Sequence, residues 1–168
     1  MQGITHASAI SITGASGVWI EGQLNTDLNV GHGTHCAGII GGPRTSIGGK
    51  RYGVAPDAEL LIGKVLSDAG SGTDDQILDG IDWAVEQGAD VISMSLGSLR
   101  GEGEPYAKAY ELVAQSLLLN EGILIVGAAG NSSYRPYYTA PVENPAAAPS
   151  IMAIAANDQD RQVARFSC

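Results

Sequence analysis

The sequence predicts an α/β fold: a three-layer, doubly wound, mostly parallel sheet with helices on both faces. Short apolar runs alternate with longer segments of helical period, the order expected of strand–helix–strand units. The runs are near-continuously apolar, as in parallel strands buried on both faces. Glycine is abundant, 23 of 168 residues, about twice its average share. Several glycines fall just after the apolar runs, where a sheet of this kind binds its ligands. The length suits one domain with one core, taken here as residues 1–168.

Taken in order, Gly31-His32-Gly33-Thr34-His35-Cys36-Ala37-Gly38-Ile39-Ile40 reads as the start of a tightly buried helix, small residues allowing close packing. Leu60–Val65 is a strand, and Ser67–Gly72 a polar loop. Thr73–Gln87 is a helix. Thr73 and Gln76 form a capping box, and Asp74 and Asp75 suit the positive end of the helix dipole. Ile77, Leu78, Ile81, Ala84 and Val85 make its apolar stripe, and Gly88 ends it. Val91–Met94 is the next strand. Pro105–Asn120 is a helix with Pro105 in its first turn and a stripe of Tyr106, Ala109, Tyr110, Val113 and Leu117. Ile123–Ala128 and, after a proline-bearing loop, Ile151–Ala155 complete the strands. The segments after the first three strands are Gly70-Ser71-Gly72, Ser95-Leu96-Gly97 and Ala129-Gly130-Asn131, open to close approach by a ligand backbone.

The net charge of −9 argues against a nucleic-acid partner and against docking on anionic lipid. No secretory leader is visible at Met1–His6, and the most apolar stretch, Leu117–Ala129, is too short and interrupted to span a membrane. Two cysteines do not make a disulfide framework; Cys36, among small and apolar residues, reads as a buried thiol.

The chemistry concentrates at His32. A general base working near neutral pH is most often an imidazole, held and accessible. From His32 to Gly42 the chain resembles the histidine motif of the subtilisin-like serine proteases, with Cys36 as in the proteinase K-like branch. The resemblance continues in order through Tyr52-Gly53-Val54-Ala55-Pro56, Lys64-Val65-Leu66 with Gly70-Ser71-Gly72, Val91–Gly97, Val126–Asn131, Pro149–Ala155 and Ala164–Ser167.

The resemblance implies a serine endopeptidase working through an Asp-His-Ser triad on peptide or protein substrates. His32 would be the triad base, and Asn131 would donate its side-chain amide to the oxyanion. Ser71 and Gly72 would pair with the substrate backbone on one side, and Ser95, Leu96 and Gly97 on the other, by strand addition. Ala128, Ala129 and Gly130 would line the pocket for the side chain before the cleaved bond, leaving room for a large apolar group. No cofactor is required for the chemistry. Family members are mostly secreted, which implies an extracytoplasmic protein.

Two departures shape the expectation. Met1-Gln2-Gly3-Ile4 stands where the family's Asp-Ser/Thr-Gly-Ile motif belongs, so Met1 takes the aspartate's place and the strand leading into it is missing. The Gly-Thr-Ser-Met-Ala segment that would carry the nucleophile does not occur. The chain therefore reads as one catalytic domain truncated at both ends, inactive alone, whose partners include the missing portions of its own domain. Loss of a central strand and of the serine-bearing helix would expose sheet edge and apolar helix faces, so the chain is expected to be poorly soluble by itself. The rival account is a catalytically inactive pseudoprotease, or decayed gene product, that binds extended peptides.

His32 and His35, one helical turn apart, lack the further ligands of a zinc site, and His35 reads as a satisfied structural histidine. Asp27 sits in a turn-like Asn25-Thr26-Asp27 rather than in the place of the triad acid. Many members of the family bind structural calcium; the loop Gly41–Tyr52 is where it would be sought, although Lys50 and Arg51 argue against a cation. No glycine loop has dinucleotide or P-loop spacing.

Overall fold

The computed structural model describes residues 8–13, 19–20, 23–24, 32–45, 48, 53–67 and 69–168. They fall into two compact units, Met1–Ser95 and Leu96–Cys168.

In the first unit β1 (Ser8–Thr13) lies between β4 (Glu59–Lys64) and β5 (Val91–Met94), parallel to both. Ile10 is in register with Leu61 on one side and Ile92 on the other. A two-residue antiparallel pair, β2 (Trp19–Ile20) and β3 (Gln23–Leu24), precedes α1 (His32–Gly41), which packs on β1 and β4. The sequence reading did not make Ser8–Thr13 a strand, and it expected the sheet's centre to lack one. The structure corrects that: β1 fills a central position.

Helix α2 (Asp74–Glu86) follows the expected chemistry closely. The Thr73 side chain accepts from Gln76 N–H at 3.3 Å, and Gln76 Oε1 accepts from Thr73 N–H at 3.0 Å. Two of the orphan N–H groups at the helix start are thereby satisfied. At the other end Gly88 has φ +81°, the left-handed conformation that lets its N–H reach Val85 O and that of Ala89 reach Ala84 O. Ile77, Ile81 and Ala84 are buried, with Ile92 and Met94 of β5 also in the core.

In the second unit α3 (Lys108–Ser116) runs into one π turn, Leu117–Glu121, before Gly122 closes it at φ +74°. The helix starts three residues later than expected: Pro105 lies outside it and Ala107 is the N-cap. Its buried residues are Tyr110 and Ala114, whereas Tyr106 and Ala109 of the predicted stripe are exposed. Glu111 anchors the helix, accepting both the N–H and the hydroxyl of Ser150 at 2.8 Å. Strands β6 (Leu124–Ala128) and β7 (Met152–Ile154) pair in parallel, Val126 opposite Met152. β7 is exposed along its length. The final segment returns beneath Gly130: Ser167 is fully buried, and Cys168 N–H donates to Gly130 O at 3.1 Å.

Candidate active site

His32 is the first residue of α1 and is exposed. An N-terminal position leaves the ring beside the sheet's carboxyl edge, where β5 runs out into Ser95. The ring's Nε2 stands 3.0 Å from Ser95 O. A carbonyl only accepts, so the proton of that bond sits on Nε2. Cys36, one turn on, has its sulfur 3.7 Å from the same nitrogen. Cys36 is half-buried rather than buried, and His35 is exposed. The helix is less enclosed than its small residues suggested, with Gly33 and Ala37 its buried members.

The loop expected to flank a substrate is closed on itself. Ser67 N–H donates to Ser71 O and Gly70 N–H to Ser67 O, both at 2.9 Å. Gly72 lies so close to Val65 O and the Leu66 side chain that a β-carbon there would overlap both. Ser71 forms part of a cleft of about 550 Å³ with Val65, Gln76 and Trp83. Ser71, Gly72, Ser95 and His32 all belong to the first unit.

In the second unit Leu96 is buried, Gly97 exposed, and Ala129 and Gly130 buried at the end of β6. Asn131 is exposed just beyond. Sequence reasoning expected only small apolar walls here and missed a carboxylate. Glu143 is fixed by its own N–H, donated to Ala129 O at 2.9 Å. Its neighbour Asn144 exchanges two backbone hydrogen bonds with Ser98, at 2.8 and 3.1 Å. The side chain consequently lies between two glycines: a β-carbon on Gly97 would be 2.6 Å from Glu143 Oε2, and one on Gly130 would be 2.5 Å from its Cδ. Oε1 accepts from the Ser132 hydroxyl at 2.6 Å and from Asn131 N–H at 3.3 Å. One signal was present in the sequence: Glu143 is the sole charged residue between Ala140 and Ser150.

Several expectations fall outside the described residues: Met1, Gly3 and Ile4, His6, Asp27, Gly31, and positions 46–47 and 49–52 of the loop considered for calcium. Near that loop Arg44 pairs with Asp57, whose hydrogen bond and then charge raise the guanidinium pKa above its ordinary value. Both side chains are largely exposed, so the pair contributes little to stability.

Comparison with known proteins decides the family. The chain matches the Subtilase family, Peptidase_S8, over residues 18–168. It is a member of the subtilase family. A thermostable alkaline protease of Halalkalibacterium halodurans is 40% identical over 165 residues, covering 98% of this chain and 42% of that protein. The minor extracellular protease Epr of Bacillus subtilis (strain 168) is 35% identical over 169 residues, 99% of this chain and 24% of that one. The chain thus spans less than half the length of these curated relatives. Among solved structures, the psychrophilic subtilisin-like protease Apa1 from the Antarctic psychrotroph Pseudoalteromonas sp. AS-11 superimposes with a TM-score of 0.74 at 27% identity, over 97% of this chain and 38% of that one. The subtilase fold, a parallel sheet with helices packed on it, is therefore this chain's fold.

Proposed function

We propose that these residues are the base-bearing and oxyanion-bearing part of a subtilisin-like serine endopeptidase, acting on peptide or protein substrates. In this reading His32 takes the proton of an attacking serine and returns it to the leaving amine, while the Asn131 amide donates to the oxyanion. Ser71 and Gly72, with Ser95, Leu96 and Gly97, supply backbone groups to an extended substrate. The triad acid and the nucleophile come from outside these residues, and residues 1–168 alone are inactive. A relative named an extracellular protease supports an extracytoplasmic setting.

The hydrogen bond from His32 Nε2 to Ser95 O carries this reading. It places the imidazole at a strand's carboxyl end, held yet exposed, as a base requires. It also gives the ring a proton on Nε2, the nitrogen that must be bare to accept one from serine. An aspartate bonded to Nδ1–H supplies the opposite tautomer in a complete triad. That proton on Nε2 favours a second reading: a subtilase-like chain that binds extended peptides without catalysis.

Sequencing the nucleic acid on both sides of the reading frame separates the two. In-frame codons for Asp-Ser/Thr-Gly upstream and Gly-Thr-Ser-Met-Ala downstream are the expected result. Stop codons bounding the frame on both sides would instead make the peptide-binding account the stronger one.

A further inference from the structure

We propose that Glu143 makes the pocket beside Gly97 and Gly130 selective for a cationic side chain, so that the substrate residue before the reacting bond is lysine or arginine. The inference rests on the reading that extended peptides pair with Leu96-Gly97 and place that side chain against Ala128-Ala129-Gly130.

Two glycines face each other across the carboxylate, each lacking the β-carbon that would collide with it. The carboxylate packs against both glycine backbones, so on that reading it is the group a substrate side chain placed there meets. It does not sit there by chance of a long, loose side chain. Its backbone is tied to Ala129 O, and Asn144 beside it is tied to Ser98. The Ser132 hydroxyl and Asn131 N–H orient Oε1. Oε2, over Gly97, retains capacity to accept further hydrogen bonds, since a carboxylate offers about four lone-pair sites. Among the described residues no Lys, Arg or His forms an ion pair with Glu143, whereas Arg44 and Asp57 do pair elsewhere. A half-buried anion with no ion-pair partner among the described residues gains a charge-assisted hydrogen bond when a lysine or arginine enters. A leucine or phenylalanine entering the same slot would strip solvent from the carboxylate and return nothing. The chain's net charge of −9 further favours approach by cationic peptides.

The test is fluorescence anisotropy with labelled N-acyl tetrapeptide amides that differ only at the last residue: Lys, Arg, Leu, Phe or Glu. The 168-residue chain and Glu143→Gln are compared at low and high salt. A charge-assisted bond predicts Lys and Arg peptides binding about tenfold or more tightly than Leu and Phe. That preference should shrink with salt and vanish in Glu143→Gln. Leu or Phe binding as tightly as Lys overturns the inference alone, and does so with the unmodified chain even if Glu143→Gln fails to fold. A cation preference that survives in Glu143→Gln also overturns it. Failure to bind any of the five peptides overturns the strand-addition reading beneath it as well.

Discussion

At His32 the chemistry turns on which ring nitrogen carries the proton. The 3.0 Å bond to Ser95 O requires Nε2–H, so a ¹⁵N-correlated NMR spectrum of the neutral ring should show Nε2 protonated and Nδ1 bare. The reverse assignment would contradict the hydrogen bond from Nε2 to Ser95 O. In a protein holding the whole triad, replacing Asn131 by glycine should lower kcat about 10²–10³-fold with little change in KM, the magnitude known for the oxyanion donor of subtilisin. An unchanged kcat would remove Asn131 from that role. His32 and Asn131 were legible as candidates only through the resemblance of Gly31–Gly42 and Val126–Asn131 to the family's motifs; Asn131 alone would read as a cap or turn residue. Glu143 was not legible. It lies in an aperiodic proline-bearing loop, and its place between Gly97 and Gly130 depends on pairings, Asn144 with Ser98 and Glu143 N–H with Ala129 O, that no local pattern encodes.

Among the elements, α2 is where sequence and structure agree best, because its ends are set by local side-chain chemistry. Thr73→Ala removes the hydroxyl that accepts Gln76 N–H and should cost about 1 kcal/mol in chemical denaturation. Ile81, wholly buried on the same helix, should cost about 2–5 kcal/mol as alanine. If Thr73→Ala proved the more damaging of the two, packing would not be what holds α2. The third helix was less legible. Pro105 is compatible with a first turn, yet Tyr106 and Ala107 still separate it from Lys108, where the helix begins. Tyr110 and Ala114, at i and i+4, form the buried face that Tyr106 and Ala109 were expected to share. β1 was missed for a related reason: Ser8, Ser11 and Thr13 interrupt the apolar pattern, and pairing with β4 and β5 on both sides decides its state.

For the whole molecule, the family follows from many short segments in the right order, each weak alone, and the match over residues 18–168 agrees with that order. On the proposed reading, what the chain does with the fold depends on groups outside these residues: a base and an oxyanion donor form no acyl-enzyme without a nucleophile between them. Labelling the 168-residue chain with a serine-reactive fluorophosphonate, and mapping any adduct by mass spectrometry, tests that claim most directly. The account predicts no adduct on any serine of the chain. A stoichiometric adduct on one of them, lost in His32→Ala, would show that these residues carry their own nucleophile and would contradict it.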